Sequence, residues 1–391
     1  MSAVPEEVKV IEDCSNSDVV TKYKMAAEIA DCALQGVLSQ AIAGKDVAEL
    51  CKFGDALVSQ RVAAVFKNKK IEKGVAFPTC VSVNETICHF SPLPSESRTL
   101  MAGDWIKIDI GCHIDGYIAV TATTHVVGQE GISEPETITG ESANVMVAAH
   151  QAVELCTRLI KDGNTNTQVT TALQNLAEDY GVKAVTGTIM HQLKRFVIDA
   201  NKTIAQKFDP EVKTDKITFE TNEVYAIDIV FTTGLEKALE SEARTTVFKR
   251  AVERTYRLKM KSSRYVFNEI NQKCSTLPFS LRAFEDERQA RMGVVECVKH
   301  GLVTAYPVLH VRPEDKVVHL KATVLLLPSG TDVITCTSLL PLDKIQSEKQ
   351  PREELATILN QEISKKSTKK KSKKSKKQTT TVVEETMVAD E

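Results

Sequence analysis

The 391-residue sequence lacks the features of disulfide-stapled, secreted and membrane-spanning proteins. Its ten cysteines include no Cys-x-x-Cys pair, which argues against a disulfide framework or a zinc ribbon and favours reduced thiols. Apolar runs such as residues 324–327 are far shorter than the ~20 residues that cross a bilayer. The acidic N-terminus lacks the apolar segment of a secretory signal. We therefore expect a soluble intracellular protein.

The sequence also lacks a large net charge, but its charges are unevenly distributed. In total, 50 Lys and Arg against 52 Asp and Glu give −2. Residues 365–391 hold nine lysines and four acidic residues, which leaves 41 basic and 48 acidic residues in 1–364, a net −7. The run 365–377 has no aromatic residue and cannot bury a core, so we expect it to be disordered. A basic tail on an acidic body predicts a polyanionic partner.

Hydrophobic periodicity predicts helices followed by strands, twice along the chain. The predicted helices are 19–43, 47–66, 142–161 and 167–180, and the predicted strands are 74–84, 106–111, 113–120, 223–230 and 318–327. The pair Asp115-Gly116 between two apolar runs predicts a hairpin, and Pro78 is expected to break the first strand. Two similar α+β halves would explain this order.

Residues 235–308 differ from both halves, and we interpret them as an insertion into the second. Their first part, 244–264, holds eight basic residues and one acidic residue, Glu253, and 284–300 predicts an amphipathic helix. Such a cluster binds phosphate backbones without reading sequence, and Phe248 and Tyr256 are candidates to stack on bases. An ordinary surface, and for the tail a solubility or nuclear-localisation role, are the alternatives. The candidate RNA-binding residues are Arg244, Lys249, Arg250, Arg254, Arg257, Lys259, Lys261, Arg264, Lys365, Lys366, Lys369, Lys370, Lys371, Lys373, Lys374, Lys376 and Lys377.

Three polar residues fall where the predicted strands would face a cleft: Asp109, His191 and Asp228. One histidine and two carboxylates are typical of a divalent-metal ligand set. Each also has an ordinary explanation, as a turn cap, an interior histidine or a local ion pair, and short matches have a high false-positive rate. From the residues alone, the ordinary roles are favoured.

Longer strings indicate a family. Four of them resemble the methionine aminopeptidases of the "pita-bread" fold: Ala76-Phe-Pro-Thr, Cys88-His-Phe-Ser-Pro, Lys107-Ile-Asp-Ile-Gly-Cys-His-Ile-Asp-Gly and Glu223-Val-Tyr-Ala-Ile-Asp. The insertion is similar to that of the type-two branch. Others, from about residue 19 to 330, resemble the proliferation-associated, ErbB3-binding protein family: Val20-Thr-Lys-Tyr-Lys-Met, His191-Gln-Leu-Lys, Leu281-Arg-Ala-Phe-Glu-Asp-Glu and Ala290-Arg-Met-Gly-Val-Val-Glu-Cys.

The resemblance implies a pseudo-symmetric α+β pita-bread fold with an inserted subdomain and a disordered lysine-rich tail. The implied layout is a flexible N-terminus at 1–18, an aminopeptidase-like domain at 19–340 with the insertion 235–308 inside it, and a C-terminal tail at 341–391 with the basic run 365–377.

The resemblance also implies where a two-metal site would lie. The enzymes use two Asp, one His and two Glu, which fall here on Asp109, Val120, His191, Asp228 and Lys321. Two substrate-side histidines fall on His89, which is retained, and on Asp199. Val120 has no ligand atom, and Lys321 places an ammonium where a dication would bind. We therefore predict no aminopeptidase activity, no metal and no other cofactor.

Two positions for the Lys321 side chain are open. It could reach Asp109 and Asp228 and neutralise them, replacing the metals as a structural ion pair. Alternatively, its ammonium extends outward into solvent.

The resemblance implies a function in RNA and ribosome binding. Members of the ErbB3-binding protein family bind large ribosomal subunits and structured RNA, and they move between nucleolus and cytoplasm. We therefore expect a non-catalytic protein of ribosome biogenesis, rRNA processing, translation and growth regulation, in cytoplasm, nucleus and nucleolus, with no membrane partner. A nuclear transcription co-regulator is one alternative, since Leu355-Ala-Thr-Ile-Leu resembles a Leu-x-x-Leu-Leu box except at Ile358. A residual metallopeptidase is the other, disfavoured by Val120 and Lys321.

Overall fold

The computed structural model describes residues 12–128, 137–209, 214–336 and 340–363. The helices in these ranges are α1 (Ser17–Gln40), α2 (Val47–Ala64), α3 (Gly140–Leu159), α4 (Asn166–Tyr180), α5 (Lys261–Lys273), α6 (Glu287–Lys299) and α7 (Glu353–Leu359). The strands are β1 (Lys73–Val83), β2 (Thr86–Cys88), β3 (Trp105–Ile114), β4 (Tyr117–Val126), β5 (Lys183–Ala184), β6 (Ile189–Leu193), β7 (Thr203–Ala205), β8 (Val224–Thr232), β9 (Leu239–Glu240), β10 (Val247–Arg250), β11 (Phe279–Ser280), β12 (Val303–Tyr306), β13 (Leu309–His310), β14 (Val317–Leu327) and β15 (Gly330–Val333). The predicted basic run 365–377 lies outside the described residues, as do residues 1–11 of the predicted flexible N-terminus.

One antiparallel sheet of nine strands joins the two halves. Its order is β1-β3-β4-β14-β8-β6-β7, with β15 added to β14 and β5 to β8. Helices α1 and α2 pack on β1, β3 and β4, and α3 packs on β8 and β14, with α4 beside it. Because side chains alternate along a strand, Ile108, Ile227 and Leu320 pack under these helices, and their neighbours face the opposite side. The predicted arrangement of two α+β halves is confirmed.

Local signals in the sequence fix several turns. Asp115 and Gly116 have φ of 57° and 79°, the left-handed pair that a two-residue hairpin needs between β3 and β4. Gly181 ends α4 at φ 68°. Pro78 does not break β1 as predicted. It falls within the register shift between Phe77 and Cys80, so the strand continues through an irregularity in its pairing with β3.

The residues between β8 and β14 carry a small body with its own core. Strand β10 is central in the sheet β11-β10-β12, and α5 crosses α6. At this crossing a Cβ on Gly293 would lie 2.5 Å from the carbonyl oxygen of Ser262, so only glycine allows the contact. Phe248 is buried in this core, which excludes its predicted stacking on RNA bases.

The folded part extends beyond both predicted boundaries, 19 and 340. At the N-terminal side, Cys14 is buried and Glu12 forms an ion pair with Arg195. At the C-terminal side, Leu355 of α7 is buried in the core of the second half, and the backbone N–H of Arg352 donates to Asp179 at 2.8 Å. Residues 12–18 and 341–363 therefore belong to the domain. Within the described ranges, no helix is long and apolar enough to cross a membrane.

Candidate functional site

Four strands bring one residue each into a single row on the open face of the large sheet. Asp109 on β3 lies opposite Ala122 on β4, Ala122 opposite Lys321 on β14, and Lys321 opposite Asp228 on β8. Directly opposed residues point to the same face. The methyl group of Ala122 leaves the space through which the lysine side chain reaches Asp109.

Lys321 lies between the two carboxylates, as the ion-pair hypothesis predicts. Its Nζ is 2.7 Å from Oδ2 of Asp109 and 3.2 Å from Oδ2 of Asp228. The Lys321 side chain is 10% exposed and that of Asp109 only 2%, so the alternative of a solvent-directed lysine is wrong. Burial opposes the charge on Lys321, but the two carboxylates overcome it and hold the lysine pKa well above its usual range.

His319, which was not among the predicted site residues, completes the group. Its Nε2 is 2.7 Å from Oδ1 of Asp228, so that carboxylate contacts both a lysine and a histidine. Burial would raise the pKa of Asp228, but Lys321 and His319 together hold it well below its usual value. The signal was available, because a residue two positions before Lys321 on a strand shares its face.

The row forms the floor of a cleft with a volume of about 270 Å³. Val120 lines it with an apolar side chain. His89 sits at its edge in a left-handed backbone conformation, φ 66°, with its Nδ1 2.9 Å from the carbonyl oxygen of Pro307 and its ring against Tyr306. Burial lowers the pKa of His89 to about 4, which keeps the imidazole neutral at physiological pH.

The remaining predicted cleft residues also line this cavity, and one of them pairs with a lysine that was predicted to bind RNA. Asp199 and His191 both face the cleft, and burial holds the pKa of His191 below its ordinary value. Asp199 forms an ion pair with Lys249 of β10. Lys249 was predicted to bind RNA. The structure pairs its ammonium with a carboxylate at the cleft, and its contact with RNA stays a prediction.

The side chains at the five implied ligand positions do not fit a pair of divalent cations. Two-metal sites hold their ions with bridging carboxylates that bind both at once. Here Val120 contributes no donor atom, and the Lys321 ammonium already contacts the oxygens of Asp109 and Asp228 that would face a metal. Two like charges at such distances in a buried site repel strongly.

The other predicted basic residues divide into paired and open groups. Arg244 pairs with Glu96 at 2.7 Å, and the guanidinium of half-buried Arg250 lies 5.7 Å from the ring centre of Phe267. Arg264 donates to two backbone carbonyls of the preceding loop but stays exposed. The remaining candidates of the insertion are exposed: Arg254, Arg257, Lys259 and Lys261.

An aromatic platform lies beside these exposed cations. The ring of Tyr256 stacks on that of His300, with centroids 3.6 Å apart and planes 10° from parallel. Tyr256 is 37% exposed and lines an open groove together with Arg257, Asn268 and Asn271. Cations, amides and a held aromatic ring are the groups that contact phosphates and unpaired bases.

Comparisons with known proteins agree on one family. Residues 21–252 match metallopeptidase family M24. The "ERBB-3 binding protein 1" of Solanum tuberosum is 48% identical over 343 residues, 87% of each chain. The solved structure of a thermophilic Arx1 superposes with a TM-score of 0.84 at 29% identity, over 90% of this chain and 100% of that one. A methionine aminopeptidase of Thermotoga maritima gives a TM-score of 0.56 at 15% identity, over 83% and 99%, which shows the predicted pita-bread fold.

Proposed function

This chain belongs to metallopeptidase family M24 and, within it, to the ErbB-3 binding and proliferation-associated group, and on this basis we propose a non-catalytic, RNA-binding role. In this proposal the chain binds the large ribosomal subunit and structured RNA, and acts in ribosome biogenesis, translation and growth control in the cytoplasm and nucleus, including the nucleolus. Lys321 between Asp109 and Asp228 is the observation that supports the non-catalytic part of this proposal. The exposed cations of the insertion support the RNA-binding part.

The cleft supports the absence of hydrolysis. A metallopeptidase polarises a water between two cations. In this cleft the cationic group is an ammonium, which has three N–H donors and no open coordination position. The group pairs with both carboxylates, but it cannot activate a water as a nucleophile.

The insertion supports RNA binding. Arg254, Arg257, Lys259 and Lys261 follow one another on an exposed segment and its junction with α5, so they can contact several phosphates of one RNA helix. Tyr256 beside them offers an exposed ring to an unpaired base. The basic run 365–377, outside the described residues, would add further non-specific attraction.

Co-sedimentation with purified large ribosomal subunits over a salt series tests the RNA-binding part. We expect saturable binding that weakens steeply between 50 and 200 mM salt, roughly in proportion to the phosphates contacted. Charge reversal at Arg254, Arg257 and Lys259 should weaken binding at least about tenfold and flatten the salt dependence.

Two matched variants locate the contact. Charge reversal at three exposed lysines after α2, Lys67, Lys69 and Lys70, changes the net charge equally on another surface and should leave binding unchanged. A variant truncated after residue 364 measures how much the C-terminal tail contributes to ribosome binding. Equal losses from both triple variants would show a general charge effect and refute a site on the insertion.

The two alternatives differ from this proposal in measurable ways. A co-regulator acting through Leu355-Ala-Thr-Ile-Leu needs that motif exposed, but Leu355 is buried and Leu359 packs on the same core. Such binding would also be insensitive to salt. A residual peptidase would retain metal after dialysis and cleave a peptide that begins with methionine.

A further inference from the structure

A second cavity, of about 420 Å³, lies at the seam between the first half and the insertion. One wall comes from α2 and β1, through residues such as Asp55 and Pro78, and the other from the segment between α5 and α6, through Phe279 and Arg282. The cleft described above shares none of its lining residues. Its volume falls within the range of small-molecule sites.

Arg282 is a buried cation in this cavity that is not fully paired. Its side chain is 7% exposed; Nη2 donates to Oδ2 of Asp55 at 2.7 Å, and Nη1 donates to the hydroxyl of Ser91. Its Nε–H has no hydrogen-bond partner among the described residues. Arg282 nevertheless lines the cavity, so its positive charge borders the space that a ligand would fill. Arginine is the residue best suited to oxyanions.

The charges on the cavity wall also favour an anion. Four cationic side chains line it against two carboxylates: Lys52, Lys73, Lys273 and Arg282 against Asp55 and Glu72. One of the four, Lys273, also pairs with Glu269 at 2.6 Å. Asp55 is already occupied, because its Oδ1 accepts the N–H of Thr79 at 2.8 Å and its Oδ2 accepts Arg282. Burial, and then nearby Asp115, raises the pKa of Glu72, so this side chain loses its charge more readily than a free carboxyl.

The other part of the wall is apolar, formed by Val75, Pro78 and Phe279. We propose that this cavity binds a small amphipathic oxyanion. Its phosphate or carboxylate contacts Arg282 and the lysines, and its apolar body packs between Pro78 and Phe279. Because both bodies of the protein contribute walls, an occupant strengthens the attachment of the insertion to the first half.

Calorimetric titration of the full chain with three ligands of one ring system tests this proposal. The probes are 1-naphthyl phosphate, 1-naphthoate and 1-naphthol. We expect one-to-one binding of at least one anion, about tenfold or more tighter than naphthol, with the comparison between the anions identifying the preferred head group. No saturable binding of either anion at millimolar concentration, or equal affinity for naphthol, would overturn the proposal.

Variants on one helix locate the site. Ala56→Trp fills the cavity from the exposed side of α2 and should weaken binding about tenfold or more, whereas Ala63→Trp, exposed on the same helix outside the cavity, should not. Lys52→Glu should weaken binding about threefold, and Lys45→Glu should leave it unchanged. Unaltered affinity in Ala56→Trp would place the ligand elsewhere. For Arg282→Lys, ligand affinity is measured together with the melting temperature, because this residue also joins the insertion to the first half.

Discussion

Replacing Lys321 by methionine should be among the most destabilising single changes in this chain. Methionine keeps an unbranched chain of similar length but removes the ammonium between Asp109 and Asp228. Oδ1 of Asp109 has no hydrogen-bond partner among the described residues, and Oδ2 accepts only Lys321. Removing one member of a buried pair leaves an uncompensated charge, which costs about 3–5 kcal/mol.

The pH dependence of this variant separates a lost ion pair from a packing defect. In the wild type, Asp228 has a depressed pKa and Lys321 a raised one. Their contribution is therefore fully present between about pH 4 and about pH 10, and is lost only below and above that window. In Lys321→Met the two carboxylates lose the ammonium between them, so a falling pH relieves their uncompensated negative charge and stabilises the variant between pH 7 and pH 5.

Urea denaturation followed by circular dichroism at pH 7 and pH 5 measures both effects. We expect a variant deficit of about 3–5 kcal/mol at pH 7 that shrinks at pH 5. Adding Asp109→Asn to Lys321→Met should recover part of the loss at pH 7 and remove the pH dependence. A deficit below about 1 kcal/mol, or one that is equal at the two pH values, would refute the ion-pair reasoning.

Three further predictions concern the cleft, the insertion and helix α7. The double variant Val120→Asp, Lys321→Glu places carboxylates at two of the implied ligand positions. Metal analysis after dialysis should find bound Mn²⁺ in this variant and none above background in Lys321→Met. Equal metal content in the two variants would contradict the assignment of these positions. Gly293→Val should unfold the insertion, because its side chain would meet the backbone of α5 at under 3 Å. Limited proteolysis should then cleave the insertion first. Unchanged resistance to the protease would show that α5 and α6 can move apart at little cost in free energy. Arg352→Ala removes a partly exposed ion pair and should change global stability little, yet hydrogen exchange in α7 should rise. Unchanged exchange would mean that Leu355 alone holds the helix.

Much of the fold was predictable because its elements carry strong local signals. The helices under the large sheet have dense apolar periodicity, and Asp115-Gly116 and Gly181 mark turns that need left-handed backbone. Helix α5 was not predicted, because only Ser263, Val266 and Ile270 are buried in its thirteen residues and no side chain caps its start. Its helical state depends on packing against α6, which no local pattern reveals.

The candidate site was predictable in its members but not in its contacts. The positions of Asp109 and Lys321 followed from the family resemblance, yet their 2.7 Å contact depends on the register of strands 212 residues apart in the chain. The pairing of Lys249 with Asp199 was invisible for the same reason. A lysine in a basic run is predicted to be a surface cation, and only the tertiary structure shows that the insertion packs against the cleft.

The lysine in the cleft changes how the fold responds to its surroundings. A metal that holds two carboxylates together stabilises a protein by mass action, so stability varies with the concentration of free metal and falls when a chelator is added. The ammonium of Lys321 is part of the polypeptide and is present at one equivalent in every molecule. The melting temperature of this chain should therefore be the same in EDTA as in excess Mn²⁺. Its two halves stay joined across the sheet in any compartment the chain enters, whatever the local supply of divalent ions.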